Sequence, residues 1–349
     1  TAILLFEGLS EQNEGLFDKL SSVEGLRMGW YRVNEGKKNA HGIDNQTVEM
    51  FGDHLEAELN KLSEELRSRT YRCKPLCRVI IPKADGGGRP IGISCVRDRV
   101  VQSACLNLLD RIFDPTFSPF SFGFRSQRSA HHAVSFVRGM IKTGGNWAVV
   151  ADIQKCFDTL DHDVLLNLLA ARVRDQSVLD LIQLWLKAEV LDLFEFFSSD
   201  VGVSQGEAIS PFLANVYLDP LDKHFESLGI RFARYADDIS IITDTEEEAA
   251  KALGIMGGFL NNPLRLALMP AKTNYVPVAG GFDFLGFTLC TWNNVVAVSF
   301  GQVAQFFFFL AGTLNIVKGV NDFGWRVNFL QLDVIDGHAC MIFIQQFLH

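Results

Sequence analysis

The sequence predicts an α+β fold, and three patterns point to it. Helical periodicity runs through residues 11–70; short β-prone runs recur at 78–93, 147–153 and 230–243; and helical stretches separate them. With 349 residues and 48% hydrophobic content, the chain can bury a substantial core as one large domain or as two or three subdomains. No internal repeat or long low-complexity segment marks a linker.

The elements follow in order. In 48–67, VEMFGDHLEAELNKLSEELR, charged residues are spaced through an apolar pattern, as a half-buried helix requires. CRVIIPK, the turn ADGGG (84–88) and RPIGIS read as a hairpin, and 97–113 returns to helical spacing. WAVVADI (147–153) is a run of β-formers carrying an acid, followed by a helix from about Asp161. Ser210 and Pro211 suit an N-cap and first turn, opening a helix that ends near Gly229. IRFARYADDISIIT then reads as two strands meeting at Ala236, Asp237 and Asp238. Residues 290–317 carry no charged side chain, but Gly301, Gln302, Gln305, Gly312 and Asn315 interrupt the apolar run, so a buried or partner-facing helix is expected rather than a membrane span.

Cys73, Cys77, Cys95, Cys105, Cys156, Cys290 and Cys340 form no CxxC pair, so buried free thiols are expected and zinc is not. The opening TAILLFEGLSEQNEG lacks the basic flank and cleavage pattern of a secretory signal, which points to a cytoplasmic protein. The net charge of −9 argues against a nucleic-acid partner until its distribution is considered: residues 61–142 hold 15 Lys/Arg against 6 Asp/Glu. A basic front half on an acidic chain steers a polyanion to one face.

Adjacent aspartates at a turn are costly, because like charges repel and gain nothing from packing; a simple turn preference for Asp is the bland alternative. Asp152 ends another apolar strand, and a sheet that aligns these strands gathers three carboxylates. Such a cluster calls for hard cations, and Mg2+ fits oxygen donors. Two ions about 4 Å apart suit an in-line displacement at phosphorus.

DIQKCFDTLDH (152–162), SQGEAISPFLANVYLDPLD (204–222), RYADDISI (234–241), AKTN (271–274) and FLGF (284–287) resemble, in order and spacing, the palm motifs of group II intron-type reverse transcriptases. RVIIPKADGGGRPIGISCVRDRVVQ (78–102) and FSFGFRSQRSAHHAV (120–134) resemble that family's fingers, and NAHGIDNQTVEMF (39–51) its N-terminal extension. The resemblance covers roughly residues 27–290. It implies a right-hand polymerase: an N-terminal helical extension (1–60), fingers (61–145), a palm with an antiparallel sheet flanked by helices (146–290) and a helical thumb (291–349). It also implies RNA-directed DNA synthesis from dNTPs on an RNA template, extending a DNA or RNA primer.

Position by position, the resemblance makes Asp152, Asp237 and Asp238 the catalytic acids and ligands of two Mg2+ ions, or of Mn2+. Tyr235 would sit beside the primer end, and Phe157 would be the steric gate against a ribose 2′-hydroxyl. Gln205 and Gly206 would line the nucleotide pocket, and Lys83 and Arg89 would clamp the triphosphate. Lys272 would protonate the leaving pyrophosphate. FLGF would form a hairpin supporting the primer strand, and Arg125 and Arg128 would touch template phosphates, with His131 and His132 as further candidates.

The chain also departs from the family. The usual Pro-Gln-Gly-Gly is here Ser-Gln-Gly-Glu, and Glu207 would either place a negative charge near the triphosphate or point outward. Residues 291–349 carry only Lys318 and Arg326 as basic residues, beside Asp322, Asp333 and Asp336, and FFFFL (306–310) is too apolar for a phosphate surface. That region is expected to pack on a protein partner or a second copy of itself. Nothing in it resembles the DNA-binding and nuclease modules of mobile introns, so a host role in phage defence or CRISPR spacer acquisition is expected. The alternatives are an RNA-dependent RNA polymerase, a maturase or RNA-binding scaffold with an idle site, and untemplated or protein-primed synthesis.

Overall fold

The structure, a computed structural model, describes residues 15–35, 40–82, 87–192, 195–197, 201–292, 295–300, 332–335 and 338–341. Lys83 and the FFFFL run lie outside them. Residues 1–299 form one compact unit and residues 300–349 a second.

Helices α1 (Leu16–Ser21), α2 (Val23–Glu35), α3 (Val48–Asp53) and α4 (Leu55–Arg67) open the first unit. The single helix expected across 48–67 is interrupted at His54 (φ −118°, ψ 24°). Thr47 starts α3 by accepting the Met50 N–H. Strands β1 (Leu76–Pro82) and β2 (Gly88–Ile93) form the expected antiparallel hairpin, followed by α5 (Val96–Phe113). Helix α2 lies close against α5 at Gly29, where a Cβ would stand 2.3 Å from the Val100 carbonyl oxygen. The hairpin belongs to a four-stranded sheet of order β2-β1-β4-β5, whose far strands β4 (Val190–Asp192) and β5 (Glu195–Phe197) come from the span expected to be palm.

After α6 (Ala130–Lys142) come β3 (Trp147–Asp152), a short turn of helix α7 (Cys156–Thr159), α8 (His162–Ala170) and α9 (Gln176–Leu186). Helix α10 (Ser210–Ser227) precedes β6 (Phe232–Tyr235) and β7 (Asp238–Thr243), and α11 (Glu246–Asn261) leads to β8 (Asn274–Pro277). Ser210 was expected to cap α10, but the cap position falls on Ile209, without a side-chain hydrogen bond; Ser210 and Pro211 are already inside the first turn. The expected end holds, since Gly229 follows at φ 67°.

The second four-stranded sheet has the order β6-β7-β3-β8, with every pairing antiparallel. It is buried on both faces. Val149, Ala151, Ile239 and Ile241 join the large core with Leu165, Leu213, Leu218 and Met256 of the helices. Ala148, Ala233 and Ile242 join a smaller core with Val134, Val137 and Ile141 of α6. This double burial explains why the strands are near-continuous apolar runs rather than alternating ones.

Strands β9 (Phe282–Phe284), β10 (Phe287–Trp292) and β11 (Val295–Phe300) form a third sheet. Leu285 and Gly286, both at positive φ, turn β9 into β10, so FLGF is the hairpin expected of it. Most of the helical thumb expected over 291–349 lies outside the described residues, and the described stretch VVAVSF is strand, as its β-branched residues favour. In the second unit, β12 (Leu332–Ile335) pairs with β13 (His338–Met341). Among the described residues, no helix is long and apolar enough to cross a membrane.

Candidate active site

Strand register brings the acids together. Asp152 ends β3 directly opposite Asp238, the first residue of β7, in a pairing that also sets Ala148 against Ile242. Side chains alternate along a strand, so both acids lie on the face of Ala148 and Ile242. Asp237 sits in the two-residue turn between β6 and β7, preceded by Ala236 at φ 57°. Lys272 reaches the same place because the Met269 N–H donates to the Asp152 carbonyl oxygen at 2.8 Å, which starts the Pro270–Lys272 turn beside the strand end. Its Nζ lies 2.6 Å from Asp152 Oδ2.

The local electrostatics are those of crowded anions. Burial, then the charges of Asp237 and Asp152, push the Asp238 carboxyl up to about 6, although its side chain reaches solvent. Asp237 is raised too, chiefly by burial and then by Asp152, with Lys272 and Arg89 opposing. Lys272 is held above the usual lysine range by its bond to Asp152. Among the described residues, no three His, Cys, Asp or Glu side chains are already gathered as a closed ligand set. The donors still suit a hard divalent cation: they are carboxylate oxygens, they repel one another, and a bound cation would reverse these shifts.

A buried network fixes the turn from below. Arg234, fully buried at 0% exposure, precedes Tyr235 and points to the face opposite the acids. Its Nε and a terminal nitrogen donate to Asp222 at 2.8 and 2.6 Å, and the other terminal nitrogen donates to Asn215 Oδ1 at 2.9 Å and to the Ala236 carbonyl oxygen at 3.1 Å. Asn215 Nδ2 in turn donates to the Gly123 carbonyl oxygen at 2.8 Å. Gly123 closes the back of the turn, since a Cβ there would come within 2.4 Å of the Ala236 nitrogen and 3.0 Å of the Tyr235 carbonyl carbon. Because backbone on both sides must shift to admit a methyl, Gly123→Ala is expected to cost about 1–3 kcal/mol of stability, read by urea melts.

Sequence reading missed Arg234, Asp222 and Asn215, because a charge or amide at helical or strand spacing looks solvated until its neighbours are known. It also missed Phe124, which is 56% exposed at φ 56° with its ring centroid 6.2 Å from that of Tyr235. Only the positive φ marks it as unusual, and composition does not reveal that.

The pocket residues occupy adjoining loops. The Val203 N–H donates to the Phe157 carbonyl oxygen at 2.6 Å, and Gln205 Nε2 lies 3.4 Å from Asp158 Oδ1, tying the two segments together. The Gly92 N–H donates to the Gln205 carbonyl oxygen at 2.7 Å, which docks the same loop on β2. At Gly206 (φ 110°) a Cβ would lie 2.7 Å from the Gly92 oxygen, so only glycine fits. Gly92, Asp158, Val203 and Gln205, with Ile91 and Trp185, line a cavity of about 270 Å³ that Phe157 and Gly206 do not line. Arg89 is exposed on β2.

The residues expected to touch template phosphates are placed differently from one another. Arg125 gives its donors to Asp114 Oδ1, the Asp114 oxygen and the carbonyl oxygens of Ser118 and Ser121, which leaves one N–H for any other partner. Arg128 donates to the Pro119 and Ser121 carbonyl oxygens through one terminal nitrogen. His131 packs edge-on against Phe287, and His132 is exposed. Glu207 was expected to face the triphosphate or solvent; it does neither, being buried at 6% exposure against Gln102 of α5. Cys95, Cys105, Cys156 and Cys290 are buried free thiols, as expected, whereas Cys73 and Cys77 are free but only half-buried.

The sequence is similar to those of several known proteins. Residues 81–289 match the family model described as reverse transcriptase (RNA-dependent DNA polymerase). The chain is 32% identical to protein YkfC of Escherichia coli (strain K12) over 74% of this chain and 78% of that protein. It is 35% identical to the group II intron-encoded protein LtrA of Lactococcus lactis subsp. cremoris over 55% of this chain and 32% of that protein, so it spans about a third of LtrA. Apo telomerase from Candida tropicalis aligns at a TM-score of 0.49 with 12% identity, covering 74% of this chain and 63% of that one.

Proposed function

The chain belongs to the reverse transcriptase (RNA-dependent DNA polymerase) family and is group II intron-like, and from that premise we propose that it adds dNTPs to a primer 3′-hydroxyl on an RNA template. The observation that carries this reading is the register of Asp152 opposite Asp238, with Asp237 in the adjoining turn. Those three acids would hold two Mg2+ ions, or Mn2+, which when bound activate the attacking hydroxyl and neutralise charge on the leaving pyrophosphate. Lys272, which donates to Asp152, would give its proton to that pyrophosphate. Arg89, with Lys83, would bind the triphosphate, and Tyr235 would position the primer end. Arg128 has the larger share of uncommitted donors for template phosphate, and Arg125 holds the loop that presents it.

Primer extension on an RNA template with purified protein tests the activity. Failure to extend any primer with any template, at any Mg2+ or Mn2+ concentration, would leave a maturase or scaffold; product covalently attached to the protein would instead establish protein priming. We propose a host-defence or CRISPR-associated setting for this activity. Sequencing the RNA that copurifies, and the DNA made from it, checks that setting, and recovery of a parent intron alone would replace it with intron mobility.

Phe157 supplies the choice of sugar. An aromatic ring cannot hydrogen-bond a 2′-hydroxyl and occupies the space that group needs, so Phe157→Ala is expected to raise NTP use relative to dNTP use by at least about tenfold. Competing incorporation of matched NTP and dNTP measures the ratio. An unchanged ratio, with NTPs already preferred by the wild type, would favour an RNA polymerase.

A further inference from the structure

Glu207 stands where the family has glycine, one residue after the nucleotide loop, yet its side chain enters the protein. Gln102 Nε2 lies 2.6 Å from Glu207 Oε1. The other end of the same amide, Gln102 Oε1, is buried with no hydrogen-bond partner. A buried carbonyl oxygen without a donor is costly, and a Glu207 carboxyl that carries its proton would supply one. Asp98 on α5 and Cys73 in the segment before β1 are the titratable groups that act on Glu207. Asp98 is itself buried, accepting the Tyr71 hydroxyl at 2.7 Å and the Lys74 N–H at 3.0 Å. No cation offsets a charge on Glu207 among its described partners, and both burial and Asp98 raise its carboxyl to about 7.

We infer that Glu207 is a positioning residue carried as a neutral acid, paired reciprocally with the Gln102 amide, and that this pair holds the Gln205–Gly206 loop against the fingers for nucleotide binding. The inference rests on the polymerase reading for its kinetic consequence. Gln102 is on α5, which follows β2 in the chain, and β2 already takes the loop's backbone through the Gly92 N–H. The acid–amide pair is thus a second anchor, two residues from the first. Losing the Glu207 proton places an unpaired charge beside Asp98 and leaves Gln102 Oε1 without its donor. The loop then has reason to move, and the nucleotide pocket with it.

The test compares wild type with Glu207→Gln, which is neutral at every pH and whose amide both donates to and accepts from Gln102. Between pH 6 and 8.5, the dNTP KM of wild type divided by that of the variant is expected to rise at least about fivefold, with little change in the kcat ratio. Taking the ratio cancels titration of the nucleotide and the primer hydroxyl. Infrared difference spectra between the two proteins at pH 6 should show a protonated-carboxyl band that the variant lacks. A KM ratio that stays flat with pH, a variant that binds dNTP poorly even at pH 6, or no such band would each overturn the inference. If wild type extends no primer at all, the polymerase reading falls, while the infrared comparison still decides the state of Glu207.

Discussion

The Asp237→Asn variant is expected to lose primer extension by at least about a thousandfold while melting no lower than wild type. The two halves of that result have one cause. Asp237 is crowded by burial and by Asp152, which push its carboxyl upward, so removing its charge relieves repulsion in the metal-free protein. The same charge is the oxygen donor that a divalent cation needs, and an amide is a poor replacement. Kept only for its turn preference, the residue would melt and extend as asparagine much as wild type does, because Asn and Asp suit turns alike. Measuring melting without metal and then with Mg2+ sharpens the test. Mg2+ should raise the melting temperature of wild type more than that of the variant, because only wild type offers the full donor set. Equal Mg2+ shifts in both proteins would remove Asp237 from the ligands.

What could be read in the sequence and what could not divide along physical lines. Asp152, Asp237 and Asp238 were legible because acids at the ends of apolar strands have no packing reason to be there. The strands were legible too, since β3 and β7 are β-former runs that end at those acids. Register was not: nothing in WAVVADI or DDISIIT says that residue 152 opposes 238 rather than 237, and a one-residue slip would have sent Asp152 and Asp238 to opposite faces. Glu207 misled for a related reason, because its position after the nucleotide loop suggested a role outward and only the neighbouring helix shows it turned inward. Arg125 reads as a phosphate ligand from its motif, yet four of its donor contacts go to its own loop. Residues 290–317 were expected to be helical because they are uncharged and apolar, but within them the described VVAVSF follows the strand rule of β-branched residues.

Arg234→Leu is expected to cost roughly 3–5 kcal/mol, because it strands the Asp222 carboxylate in a site with 0% exposure. Asp222→Leu should cost a similar amount by leaving the guanidinium unpaired. Neither value measures what the pair contributes, since each includes the penalty of an abandoned charge. The double variant Arg234→Met with Asp222→Leu removes both charges and should recover most of the loss, to within about 1–2 kcal/mol of wild type in urea melts. Its activity is the informative quantity. Arg234 also holds the Ala236 carbonyl oxygen at 3.1 Å and, through Asn215, the Gly123 carbonyl oxygen behind the turn. A methionine can fill the volume but cannot make those bonds, so the turn carrying Asp237 loses its support even where the fold is stable. The double variant should therefore remain at least about tenfold slower in kcat, with template-primer binding near normal. Full recovery of kcat along with stability would mean that strand pairing alone fixes the acids and that the buried network serves only the fold.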